Sequence, residues 1–400
     1  MPVLAGLLAN AGWRRLFAAQ VAALVGTGLT TVALALLAYD LAGGDAGRVL
    51  GIALALKMVA YVGIAPIAGA YAARLPRKPF LVALDLARAG AVFCLPLVTE
   101  VWQIYLLILW LNACSAGFTP TFQATIPEIV PDPAQYSRAL SASRLAYDLE
   151  NLLSPALAAG ALMLLSYDAL FVANGVGFLA SAALILGVGL PGARAGAAGG
   201  AWRRTGDGLR AYLAVPELRA VWLLYFAVAA AGALVIVDTV LYVREWLGRG
   251  EVAVALAFAA SGAGSMLAAL ALPRWLDRAH ERRPMLVGGL LLAVGVAAVA
   301  AWQPGFAGLL ALWFALGVGL SLVQTPVGRL LTRHSTEADR PALFAAQFAL
   351  SHACWLAGYP LAGVLASAAG LATAMWVLAA MAAAAAFASW RVWPRADAGG

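Results

Sequence analysis

Charge is what this chain has least of. Asp, Glu, Lys and Arg together make up 11% of its 400 residues, against about 25% in soluble domains, while 64% are hydrophobic. So little polar surface cannot cover a body of this size in water, which excludes a soluble globule and leaves lipid as the solvent. Cysteine is also scarce. Cys94, Cys114 and Cys354 lie in apolar runs without CxxC spacing, which argues against a disulfide framework and against a zinc site. A P-loop, a nucleophile elbow, an HExxH helix and a dinucleotide fingerprint are all missing, so neither ATP hydrolysis nor chemistry on a substrate has machinery, and no cofactor is called for. The net charge of +7 comes from short basic clusters between apolar runs. That pattern orients membrane segments, whereas nucleic-acid binding calls for a basic stripe interleaved with aromatics.

What is present is a series of apolar runs, each near the roughly 20 residues that span hydrocarbon. Counting them between Gly, Pro and charge clusters gives twelve: 16–39, 49–71, 80–98, 101–122, 136–165, 169–190, 218–242, 252–272, 285–302, 306–331, 342–366 and 371–390. The expected fold is an all-α membrane protein with twelve transmembrane helices in two pseudo-symmetric six-helix bundles, residues 1–190 and 218–400. Between them, residues 191–217 open with the Gly/Ala composition of a flexible linker. Before the first run, the segment ending in Trp13, Arg14 and Arg15 reads as an uncleaved amphipathic lead-in.

With the amino terminus inside, twenty of the 26 basic residues fall on the inner side, only Arg48, Arg244 and Arg249 fall outside, and Lys57, Arg88 and Arg144 fall within spans. The expected location is a bacterial inner membrane with both termini cytoplasmic. The halves also repeat. Arg77, Lys78 and Pro79 after the second span match Arg282, Arg283 and Pro284 after the eighth, and Pro155 matches Pro360, all at an offset of 205. Such a repeat points to two bundles related by an axis along the membrane normal.

An ionisable side chain at mid-bilayer costs about 2.5 to 3.5 kcal/mol on insertion scales, so each one present marks a cavity or a partner. Arg144 and Asp148, four apart on the fifth span, share a helix face and read either as a fixed salt bridge or as part of a proton-coupling site. Glu150 lies about 200° around from Asp148 and is the preferred proton carrier. Lys57, too deep for easy snorkelling, needs an anion: Asp238, Asp40 or an acidic group of the substrate. His352, in the middle of the eleventh span, is a packing histidine or a group that titrates or binds metal. Asp238, near the outer end of the seventh span, is a contact for a cationic substrate or an outer gate. On the inner side Asp85 and Arg88 sit just behind Arg74, Arg77 and Lys78, and a charge network there would act as a gate. Arg329, Arg333, Asp339 and Arg340 are its expected opposite numbers, or else an ordinary basic loop.

The loop after the second span carries Gly69, then Arg74, Arg77 and Lys78. This resembles the major facilitator superfamily, whose loop reads Gly, three residues, Asp-Arg, two residues and a basic pair; Ala73 stands where the Asp belongs, and Asp277 and Arg278 keep the acid in the second half. The strings around Trp13 to Gln20, Ala38 to Gly44 and Leu170 to Ser181 are similar to the macrolide-efflux and enterobactin-exporter branch. The resemblance covers the chain from Trp13 to Trp393. It implies a transporter whose first, fourth, seventh and tenth spans line a central path, placing Gln20, Asn112, Asp238 and Gln324 along it. Where proton-driven exporters of the superfamily often carry an Arg in the fourth span and Gly-Pro in the fifth, this chain has Asn112 and Ser154-Pro155.

The expected function is therefore gradient-driven export of a small amphipathic compound, by proton antiport, from a monomer in the bilayer. Two alternatives remain: a lipid flippase without proton coupling, with Lys57 reading an anionic headgroup, or a divalent-metal exporter in which Asp148, Glu150 and His352 converge.

Overall fold

The computed structural model describes residue 7 and residues 9–42, 46–72, 75–190, 201–277 and 280–394. Among them eleven helices are long and apolar enough to cross a membrane. Pro133–Leu162 is also 30 residues long, ample to span, but Arg138, Arg144, Asp148 and Glu150 dilute its hydropathy. The helices are α1 (Ala11–Ala42), α2 (Ala46–Ala72), α3 (Arg77–Cys94), α4 (Val101–Ile129), α5 (Pro133–Leu162), α6 (Tyr167–Leu186), α7 (Ala201–Ala214), α8 (Pro216–Ala233), α9 (Glu251–Leu276), α10 (Arg282–Trp302), α11 (Phe306–Gln324), α12 (Val327–Arg333), α13 (Arg340–Ala369) and α14 (Leu371–Val392).

Local chemistry sets the boundaries. Asp132 caps α5 by accepting from the Gln135 amide at 2.8 Å, with Pro133 next at the first helical position. Glu100 and Gln103 form a capping box at the start of α4. Gly370, at φ 90°, makes the left-handed turn between α13 and α14.

The repeat legible at residues 77 and 282 runs deeper. Helices α1, α2, α3 and α4 begin at 11, 46, 77 and 101, and α8, α9, α10 and α11 begin at 216, 251, 282 and 306. Every pair differs by 205.

Two compact units emerge: one of residues 1–139, 149–209 and 335–349, the other of 140–148, 210–334 and 350–400. In the first, α6 packs on α1 and α3, and α4 packs on α2 and α3, around Leu37, Val92, Ile104, Ile108, Phe171 and Phe178. In the second, α9 packs on α11, and α8 and α10 pack on α14.

Small residues govern the second unit. An added Cβ at Gly264 would lie 2.0 Å from the Phe314 carbonyl oxygen, and one at Gly317 would lie 1.9 Å from that of Ser261. Helices α9 and α11 thus cross with their backbones in contact, the close approach that small residues permit in membranes.

The segment expected to be a flexible linker divides. Residues 191–200 lie outside the described residues, whereas 201–214 form α7. Leu209, Tyr212 and Leu213 fall on one side at helical spacing, and Tyr212 is fully buried. The Gly/Ala run ahead of it hid this periodicity.

Candidate functional site

Four polar side chains meet inside the second unit. Arg144 on α5 pairs with Asp148 one turn along at 3.1 Å. Its Nε and one terminal nitrogen each donate to Ser265 Oγ of α9 at 3.1 Å, and the other terminal nitrogen donates to Gln324 Oε1 of α11 at 3.1 Å. Ser265 in turn donates to Asp148 Oδ2 at 2.6 Å. The guanidinium's planar fork serves three partners at once, which a lysine cannot do. The sequence supplied three of the four members; Ser265 was not among them. Its place follows from Gly264 and Gly317, because their close crossing brings the Ser265 face of α9 towards α5 and Gln324.

Glu150 belongs to the first unit. It points towards Gly28 of α1, where an added Cβ would lie 1.8 Å from Ser154 Oγ and 3.1 Å from Glu150 Oε1. Lys57 on α2 is within electrostatic range of Glu150. Asp40, one of the anions expected for Lys57, instead accepts from Tyr167 at 2.7 Å. The Lys57 ammonium also lies 5.6 Å from the centre of the Tyr61 ring.

Among the described residues Asp238 is the fully buried acid for which both carboxylate oxygens lack a hydrogen-bond partner. It ends a π-helical stretch, Leu234–Asp238, of the kind found at functional sites. Next to it, Thr239 receives Trp313 Nε1 at 2.8 Å, and Tyr242 donates to the Pro304 carbonyl at 3.0 Å. An ionised carboxylate in such a setting is costly. Asp238→Asn is accordingly expected to raise the thermal midpoint of the detergent-solubilised protein, by an amount worth about 1–3 kcal/mol. A lowered midpoint in a thermal melt would mean that the carboxylate is held by partners.

The residues expected on the inner side fall into separate clusters. In the first unit Arg77 and Arg340 share Glu128, Arg340 at 3.7 Å, and Arg77 also donates to the Glu337 carbonyl at 3.1 Å. Lys78 donates to the Leu186 carbonyl at 3.2 Å. Asp85 does not supply the acid for this cluster: it is taken up by Arg88 and by Ser181, which donates at 2.8 Å. Spacing explains the difference, since Arg88 is three residues along the same helix, and its guanidinium is clamped 3.9 Å from the Phe118 ring and 4.4 Å from that of Phe178. Gly69 admits the start of α13, because an added Cβ would lie 2.3 Å from Ala345 Cβ.

In the second unit Glu281, almost fully buried, holds Arg329 at 2.9 Å and Arg333 at 2.6 Å. Each unit thus fastens one buried glutamate between two arginines. At the offset of 205, Glu128 corresponds to Arg333 and Glu281 to Pro76, next to Arg77, so the second clasp reverses the polarity of the first.

Other candidates take quieter places. Asn112 donates to the Ile108 carbonyl of its own helix at 2.7 Å. Gln20 is buried on α1, and His352 is half-buried on α13. Asp339 accepts from the Thr336 amide at 2.6 Å in the turn before α13, and Asp277 is exposed just after α9. Arg74 and Arg278 lie outside the described residues. Among the described residues no group of three His, Cys, Asp or Glu side chains could hold a metal, so the convergence of Asp148, Glu150 and His352 needed for metal export is not found.

Known proteins bear on this arrangement in one consistent way. The Major Facilitator Superfamily pattern matches residues 16–245 and 221–399, nearly the whole length. The chain belongs to the major facilitator superfamily. It is a multi-pass membrane transporter and not an enzyme. A curated relative, an uncharacterized MFS-type transporter of Bacillus subtilis (strain 168), is 27% identical over 122 residues, 30% of this chain. That match spans only 29% of the relative's length. Among solved structures, the fold is similar to the human organic anion transporter TETRAN (TM-score 0.79, 15% identity, 95% of this chain and 99% of that one). It is also similar to a bacterial homologue of the iron transporter ferroportin in an outward-facing state (0.78, 14%, 95% and 98%), and to the E. coli fucose:proton symporter (0.70, 14%, 96% and 98%). At these identities the likeness concerns fold.

Proposed function

We propose that this transporter exports small amphipathic compounds in exchange for protons across a bacterial inner membrane. It works as a monomer with both termini cytoplasmic, and it belongs with the macrolide-efflux and enterobactin-exporter branch. Its halves, residues 1–190 and 218–400 joined through 191–217, expose a midplane site to either side in turn. The observation that carries the reading is the network of Arg144, Asp148, Ser265 and Gln324. An ion pair set among apolar spans is retained for function more readily than for stability, because its desolvation offsets most of its attraction. A proton arriving on Asp148 cancels the charge that holds Arg144 and frees its guanidinium to turn to substrate. Protonation then favours one arrangement of α5, α9 and α11 over another, which is all that coupling requires. One relative of the same fold is named a proton symporter, so the architecture is compatible with a proton as the coupling ion.

The test is transport in proteoliposomes with an imposed pH gradient, using a fluorescent amphipathic dye. The wild type is expected to respond to the gradient. Asp148→Asn is expected to exchange dye for dye but to ignore pH. An Asp148→Asn protein that responds as the wild type does would remove Asp148 from the scheme, and a wild type indifferent to the gradient would remove the proton.

A further inference from the structure

The opposed charges of Lys57 and Glu150 are not accounted for by the network around Asp148. Lys57 lies eleven residues into the 27-residue α2, about 16 Å along its axis, and Glu150 lies deep within α5. Both are partly accessible, and charged groups at that depth face the bundle interior or a water-filled cavity rather than lipid. They interact through space, and neither forms an ion pair within 4.0 Å with a described residue. Beside Lys57 the Tyr61 and Phe348 rings pack 4.9 Å apart at 59°. Across from it, Gly28 and Ser154 bring α1 against α5 beside Glu150 without adding another charge. All six residues belong to one unit.

We infer that this cluster is a substrate subsite for zwitterions with an aromatic body, Lys57 taking the carboxylate, Glu150 the ammonium and the Tyr61–Phe348 pair the ring. A fixed cation and a fixed anion held apart match a ligand carrying the opposite signs at similar separation. A ligand with one charge leaves one protein charge uncompensated. The inference rests on the reading of the chain as a transporter of amphipathic compounds and assigns the chemical class at one part of its path. It gives Glu150 a role in recognition, in place of the proton-carrier role preferred for it from sequence, and leaves coupling to Asp148.

Equilibrium binding to the purified full-length protein tests this without transport, using three probes that share one fluorescent ring system. Nε-dansyl-lysine is a zwitterion, dansylglycine an anion and dansylcadaverine a cation. The wild type is expected to bind the zwitterion most tightly. Lys57→Gln is expected to weaken the zwitterion and the anion about tenfold or more and to spare the cation; Glu150→Gln is expected to weaken the zwitterion and the cation and to spare the anion. A wild type with no preference for the zwitterion overturns the proposal, and that measurement stands even where a variant fails to fold. Variants that weaken all three probes alike, or none, also overturn it. Loss of pH-driven transport with the binding split intact would count against proton coupling and leave this subsite standing.

Discussion

Gly317→Ala is expected to abolish most of the folded protein. The added methyl carbon would sit 1.9 Å from the Ser261 carbonyl oxygen and 2.8 Å from its carbon, atoms that belong to the backbone of α9 and cannot swing aside. Relief requires α9 and α11 to part along their whole crossing, which would also strip Ser265 and Gln324 from Arg144. Overpacking of this kind costs about 3 kcal/mol or more. Gly262 provides the contrast. It stands two residues before Gly264 on the same helix, and an added Cβ there meets nothing within 4 Å. Gly262→Ala is therefore expected to be neutral or to stabilise by about 0.5–1 kcal/mol, the helix-propensity gain. Monodisperse yield on fluorescence-detected size exclusion and the thermal midpoint read both outcomes. Equal behaviour of the two variants would contradict the backbone contact between α9 and α11.

The second large effect is expected at Arg144. Arg144→Met leaves Asp148 buried with only Ser265 for company, and breaking such a pair from one side costs about 3–5 kcal/mol. The double variant Arg144→Met with Asp148→Leu removes both charges and is expected to recover most of that loss while remaining unable to couple transport to pH. A thermal double-mutant cycle measures the interaction directly. Additive losses would mean that the two charges do not depend on each other.

How much of this was legible beforehand follows from the range of each interaction. Span number came from local hydropathy. The pairing of Arg144 with Asp148 came from helix geometry four residues apart, and the 205-residue register came from two short matches that the helix starts at 11, 46, 77 and 101 then extended. Partners brought together by the packing of different helices were out of reach. Nothing local couples Arg77 to Glu128, or Glu281 to Arg329 and Arg333, and depth alone gave no hint that Glu150 lies within electrostatic range of Lys57. Asp85 has one partner on its own helix, Arg88, within reach of sequence reading, and a second, Ser181 of α6, that only packing supplies. The π-helical stretch before Thr239 leaves no signature in composition at all.

The Arg–Glu–Arg clasps carry a consequence for how the chain enters the bilayer. Each encloses one acid and two bases, so after all internal pairing a surplus of one positive charge remains at each. In the proposed orientation that surplus keeps both loop regions anchored on the cytoplasmic face during insertion, even though the same arginines are already committed to tying helix ends together. Glu128→Gln or Glu281→Gln would loosen the ties and enlarge the surplus, so such a protein would acquire its topology as faithfully as the parent and then hold its shape less well.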